Sequence, residues 1–309
     1  MNHALSGVPG VRIADYLLHE PLPARDTEVA YRATHRVLPR SARVAILKPE
    51  HVGVRHAEIR LMREGCVVET LHHAGVPRVY ECGVLDRRPW VASEQITGAS
   101  IEEAAARRPM STGDAIAIVR DAAAILAHAH RRGVVHCDIT PRSILRTPQR
   151  GFPVCLIDWG NAAIYGTALP RSDHPAARFY RAPEVTGGDR GSSAADVFAL
   201  GAVMFEAATL VLPEPVQKFP GMPPAFHQLL ARMLARSAED RPTADAVHAE
   251  ATRLSELYSD ADAAIEEVEV ELVDISRVQG ATHNLGWMPP DRVPRASQTM
   301  ATPRRRKDS

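Results

Sequence analysis

The loop HCDITPRSIL, residues 136–145, carries an aspartate at its centre, and the segments after it bring further oxygen side chains toward that aspartate. SILR (143–146) and FPVCLID (152–158) are short strand-like runs on either side of TPQRG, which has the composition of a turn. In the hairpin they predict, the start of the first strand lies beside the end of the second. Ser143 and Asp158 then meet at one mouth, with Asp138 just upstream. Two carboxylates and a hydroxyl around one point raise the question of whether Asp138 is a working base. A further carboxylate sits in the helix predicted over 55–72. At a 3.6-residue period Ala57, Leu61, Glu64, Val68 and Leu71 share one stripe. Glu64 is therefore on the face that should be buried, where a charge needs a partner or shifts its pKa.

The elements that must position these groups follow from hydrophobic periodicity. Residues 11–97 read as short strands with the one helix, and RVAILK (43–48) is an apolar run of strand length ending in lysine. Residues 113–132 form a helix with Ile118, Ala122, Ile125 and Leu126 at helical spacing. From 192 to about 257 the chain is helical. Residues 264–274, AIEEVEVELVD, fit neither helix nor strand decisively. From about 277 a Pro-, Arg- and Ser-rich composition predicts a disordered tail. No internal repeat is present.

Composition excludes several classes. The apolar fraction of 45% is globular, and 37 Lys plus Arg balance 37 Asp plus Glu. No net field draws nucleic acid or an anionic membrane, and the RRRK of the tail reads as solvated. The four cysteines have no CxxC spacing, which argues against a metal knuckle or disulfide framework and fits a reducing cytosol. MNHALSGVPG lacks a signal-peptide pattern. The longest apolar stretch, 194–212, contains Asp196 and Glu206 and reads as a buried helix rather than a membrane span. A cytoplasmic protein is expected. Arginine dominates the basic residues, and Lys48, Lys218 and Lys307 are the only lysines.

The order Lys48, Glu64, HCD (136–138), DWG (158–160), APE (182–184), Asp196 and Arg241 resembles the eukaryotic-type protein kinases that also occur in bacteria. The likeness runs from about 11 to 257. It implies a two-lobed α+β fold: a small β-rich N-lobe at 11–97 and a larger helical C-lobe at 98–257. An extension at 1–10 and a largely disordered tail at 258–309 flank it. It also implies ATP and Mg²⁺ or Mn²⁺ as cofactors, and a protein substrate or signalling partner, with no nucleic acid. Lys48 would hold the nucleotide phosphates and Glu64 would hold Lys48. Val29, Ile46, Glu94 and Ile96 would line the nucleotide site, the last two in the hinge. Asp158 would ligate the metal with Ser143 as a second ligand, and Asp138 would accept or orient the substrate hydroxyl. Glu184 and Arg241 resemble the family's buried ion pair, and Asp196 its anchor for the catalytic loop.

The departures are specific. EPLPARDTEVAYRA (20–33) has no glycine where the family's phosphate-covering loop has several. Backbone N–H groups there should grip phosphate poorly. Ile46, two before Lys48, replaces an alanine and should crowd the nucleotide. Cys137 replaces the HRD arginine that pairs with a phosphorylated activation segment, which here offers Tyr165, Thr167, Ser172 and Tyr180. Thr140 replaces a lysine, and Ser143 replaces a metal-binding asparagine. The reading that leads is an inefficient Ser/Thr kinase. Its alternative is a pseudokinase that binds or scaffolds, and a small-molecule phosphotransferase comes third.

Overall fold

The computed structural model describes residues 10–106, 108–164, 175–188, 191–212 and 222–265. Residues 1–9 of the expected extension at 1–10, residues 266–309 of the expected tail at 258–309, and Tyr165, Thr167 and Ser172 lie outside them.

Six antiparallel strands make the small lobe: β1 (Arg12–Ile13), β2 (Tyr16–Leu22), β3 (Glu28–His35), β4 (Ser41–Leu47), β5 (Val79–Leu85) and β6 (Arg88–Glu94). Their order in the sheet is β1-β2-β3-β4-β6-β5. Helix α1 (Arg55–Thr70) packs on one face. Alternation along β4 sorts its side chains between two cores. Val44 and Ile46 pack with Tyr16, Tyr31 and Trp90 on the far face. Ala45 and Leu47 pack with Ala57 and Leu61 of α1 and Val91 of β6. The register Val29↔Ile46 and Ala30↔Ala45 extends this sorting to β3.

The chain leaves the sheet through residues 95–98 and enters the helical lobe at β7 (Ala99–Ser100) and α2 (Ile101–Ala105). A Cβ on Gly98 would sit 2.2 Å from the Arg146 carbonyl oxygen, so only glycine lets the connection approach that closely. Ser100 caps α2, exchanging hydrogen bonds with Glu103. Helix α3 (Thr112–Arg131) is the hub, with Ile116, Val119, Ile125 and Leu126 fully buried. Strand β8 (Val134–Val135) leads into the 136–143 loop, and β9 (Ile144–Arg146) with β10 (Val154–Leu156) forms the expected hairpin. Strand β11 (Ala163–Ile164) pairs back to β8. Helix α4 (Pro183–Thr186) precedes α5 (Ser193–Thr209), which is the apolar stretch noted above and is buried along most of its length. Helices α6 (Pro224–Met233) and α7 (Ala244–Ile265) complete the lobe. The helical region expected to end near 257 thus continues to Ile265. Among the described residues no helix is long and apolar enough to cross a membrane.

One buried guanidinium ties three segments of this lobe together. Arg241 has a fully buried side chain and donates to both carboxylate oxygens of Glu184 at 2.7 and 2.8 Å. It also donates to the carbonyls of Ala194, Ala235 and Arg236 and stacks over Phe198. Removing it strands five acceptor oxygens, so Arg241→Met is expected to cost about 3 kcal/mol of stability near neutral pH. Hydrogen bonding to Arg241 holds the Glu184 carboxyl below its ordinary 4.5. A depressed carboxylate pKa adds stability above the unfolded value, and that stability is lost as pH falls through the folded pKa. The gap between wild type and Arg241→Met in urea titrations should therefore narrow from pH 7 to about pH 3.5. An equal gap at both values would contradict this account.

Candidate active site

The loop holding Asp138 hangs from the first turn of α5. Asp196, 1% exposed, accepts the backbone N–H groups of His136 (2.7 Å) and Cys137 (2.8 Å), and His130 Nε2 lies 2.9 Å from it. This is the anchoring that the resemblance implies. Cys137 is held at φ 66°, a left-handed conformation that a non-glycine residue adopts at a cost of about 1–2 kcal/mol. The Asp196 bonds stabilise it there. Burial, then Asp196, raises the Cys137 thiol pKa far above its ordinary value, so the position carries no charge. The His136 ring packs on Trp159, with centroids 4.5 Å apart, and its Nε2 lies 3.0 Å from the Ile157 carbonyl.

Asp138 emerges from this support with a side chain 12% exposed. One oxygen accepts Asn161 Nδ2 at 2.6 Å, and Arg60 of α1 approaches to 4.0 Å. Asn161, one residue after DWG, was missed from sequence, as was Arg60, which lies four residues before Glu64 on the same side of the helix. Burial and the neighbouring Arg25 lower the pKa of Arg60 below its ordinary value.

Asp158 comes to the hairpin mouth as the spacing predicts. The Ile157 N–H donates to the Ser143 carbonyl at 2.9 Å, and Asp158 turns outward at φ 68°, its side chain 35% exposed. Trp159 behind it is fully buried and donates to the Leu156 carbonyl. Ser143, expected beside Asp158 as a metal ligand, bonds to its own loop instead. Its side chain is fully buried, and its hydroxyl accepts from the Thr140 N–H at 2.9 Å and donates to the Thr140 carbonyl at 3.0 Å. The hydroxyl closes the loop, bonded to the Thr140 backbone in both directions. Among the described residues no group of three or more His, Cys, Asp or Glu could hold a metal ion. A hard cation at Asp158 would complete its shell with nucleotide phosphates and water, a mode that magnesium commonly uses.

The cation beside Glu64 is not the expected one. No hydrogen bond or ion pair joins Lys48 to Glu64. The backbone is extended at Lys48, so alternation carries it to the side of Ile46, away from α1. Ile46 packs in the far core and Val29 packs against it, so neither lines the cleft as expected. Ala30, Ala45 and Leu47 hold the cleft-side positions. The signal was in the sequence: VAIL (44–47) is the family's VAIK with leucine in the lysine position. Glu64 instead accepts Arg25 Nη1 at 2.6 Å, and Arg25 Nη2 reaches Asp158 at 3.2 Å. Arg25 stands in the glycine-free loop between β2 and β3. Behind it Glu28, 3% exposed, is held by Arg43 at 3.0 Å and by Arg25 at 3.7 Å. Burial opposes the Arg25 charge, but Glu64, Asp158 and Glu28 outweigh it and raise its pKa well above the ordinary value. Glu28, Arg25 and Arg43 were all missed because charged residues in a strand and loop look solvated until the fold buries them.

In the hinge the Glu94 carboxylate is engaged by Arg150 at 2.7 Å and by the Arg78 N–H. The Gln95 amide donates to the Ile96 carbonyl, and the Ile96 N–H has no partner among the described residues. Tyr180, one of the activation-segment hydroxyls, is 7% exposed and donates to Glu206 at 2.5 Å.

Comparison with known proteins agrees with this geometry. A protein kinase domain model matches residues 29–251. The serine/threonine-protein kinase PknJ of Mycobacterium tuberculosis is 28% identical over 328 aligned positions, covering 98% of this chain and 51% of that protein. PknH of the same organism is 27% identical over 269 positions, covering 78% and 42% respectively. The chain thus spans about half the length of the curated relatives it matches. The crystal structure of the M. tuberculosis PknI kinase domain superposes with a TM-score of 0.63 at 24% identity, over 82% of this chain and 99% of that one. A separated pair of lobes, an aspartate-bearing loop anchored to α5, and a family match over residues 29–251 lead to one conclusion: the chain belongs to the protein kinase domain family, in its bacterial eukaryotic-type serine/threonine kinase group.

Proposed function

We propose that the chain transfers the γ-phosphate of ATP to serine or threonine hydroxyls of a protein, at reduced efficiency. The observation that carries this reading is the set of charged contacts in the cleft: Arg25 joins Glu64 to Asp158, and Arg60, on the same helix as Glu64, approaches Asp138. Phosphoryl transfer asks for positioned charge rather than covalent chemistry. Asp138, oriented by Asn161, would take or align the substrate hydroxyl proton. The free Ile96 N–H would meet the adenine edge. Asp158 would hold magnesium or manganese, which when bound supplies charge neutralisation for the phosphates. The glycine-free loop supports weak nucleotide affinity. A neutral Cys137 supports activity independent of activation-segment phosphorylation, because it cannot pair with a phosphate.

The second reading is a pseudokinase that binds a signalling partner. It is favoured by the same contacts, since Arg25 already occupies Asp158 and Asn161 already occupies Asp138. Radiolabel transfer to the chain itself or to a generic protein substrate separates the two. Wild type should label, and Asp158→Ala should not. Asp138→Asn should lose about 10²- to 10⁴-fold in transfer while nucleotide affinity stays within about twofold. No labelling by wild type across magnesium and manganese concentrations would leave the pseudokinase as the better account.

Ser143 generates a separate prediction. Restoring asparagine there meets a fully buried site whose two hydrogen bonds are already made. Ser143→Asn is expected to destabilise by about 1–3 kcal/mol through overpacking, with no gain in metal affinity. Thermal unfolding and metal titration check both halves. A rise in turnover at unchanged stability would return Ser143 to the metal site.

A further inference from the structure

We propose that Arg25 is the residue that grips the nucleotide phosphates, in place of a lysine on β4. The inference rests on the nucleotide-binding part of the reading above and names the residue that performs it. Three independent observations carry it.

The cation that β4 does carry, Arg43, is committed to the buried Glu28 at 3.0 Å. The cleft-side position next to α1 is Leu47, packed against Ala57 and Leu61, and Lys48 lies on the opposite side with no bond to any carboxylate of the cleft. The loop backbone offers little either, because residues 20–33 contain no glycine and Pro21 and Pro23 lack N–H groups. Among the described residues Arg25 alone ion-pairs with both Glu64 on α1 and Asp158 at the hairpin mouth.

The guanidinium also lies over the DWG turn itself. A Cβ on Gly160 would come within 3.1 Å of Arg25 Nη1. Glycine at 160 therefore lets the arginine press against the backbone that carries Asp158. The side chain is 13% exposed, so its charge is held in place rather than sampling solvent.

The two contacts are unequal in a useful way. Nη1 to Glu64 is short at 2.6 Å, and Nη2 to Asp158 is longer at 3.2 Å. Glu28 is held more closely by Arg43, at 3.0 Å, than by Arg25, at 3.7 Å. Arg25 stays on Glu64 while its second nitrogen turns from Asp158 to a phosphate oxygen. A planar fork suits both partners, one carboxylate and one phosphate. Asp158 is then free for the cation.

The test measures ADP binding by calorimetry with magnesium present, alongside radiolabel transfer. Arg25→Met should weaken ADP at least about tenfold, and Arg25→Lys should fall between it and wild type. Lys48→Met should stay within about twofold of wild type. Loss of Arg25 leaves Glu64 and Asp158 without their cation and can cost folding, so the double variant Arg25→Met with Leu47→Lys is the second arm. It returns a cation to the cleft side of β4 and should recover most of the lost affinity. Folded Arg25→Met with unchanged ADP affinity overturns the proposal. So does a Lys48→Met loss as large as that of Arg25→Met, and so does a wild type that binds no ADP. Binding that depends on Arg25 without any phosphate transfer sustains the proposal and sinks the kinase reading. Transfer by wild type and Arg25→Met alike does the reverse.

Discussion

Two half-buried carboxylates at the junction of two lobes share one cation. That constraint organises the cleft. Glu64 is brought there by the stripe of α1 that packs on the sheet, and Asp158 by the end of the β9–β10 hairpin. Left alone, they would repel each other and raise the cost of closing the lobes. Arg25 satisfies both at once, and in doing so it ties the β2–β3 loop, α1 and the hairpin into one unit. The other charged residues fit around it: Arg43 takes the buried Glu28, and Arg60 takes up a place near Asp138.

The helical lobe uses the same device with opposite polarity. There a single acid, Asp196, accepts two loop amides, and a single base, Arg241, collects Glu184 and three carbonyls. Each is buried and saturated, so each fixes several segments whose own sequences do not favour their conformations. The left-handed Cys137 is the clearest case, since its strain is local and the bonds that offset it come from a residue 59 positions away. Rigid support of this kind is what catalytic loops require, whether the loop now turns over substrate or only binds.

Charge bookkeeping in the cleft explains how a domain with so many substitutions keeps the family's geometry. Arginine has replaced lysine as the working cation nearly everywhere in the chain. Its fork can span two carboxylates where an ammonium would serve as a single point. The glycine-free loop and the leucine at the end of β4 belong together in this cleft, because the loop carries on the Arg25 side chain the cation that bridges Glu64 and Asp158.

Much of this was legible in the sequence. The hairpin that sets Asp158 beside the Ser143 backbone, the helix that buries Glu64, and the ordered motifs of a two-lobed fold all follow from local periodicity and turn composition. Those are short-range properties that the chain encodes directly. The faces of β4 were not read correctly. A strand alternates every residue, so matching the motif to Lys48 instead of to VAIL (44–47) moved Lys48, Ile46 and Val29 to the wrong side together. The roles of Arg25, Glu28, Arg43, Arg60 and Asn161 could be decided only by tertiary structure. Each is an ordinary polar residue in its own segment, and its partners lie up to 133 positions away in the chain. The Ser143 hydroxyl likewise shows its partner only in the fold, where it is buried against the Thr140 backbone it bonds.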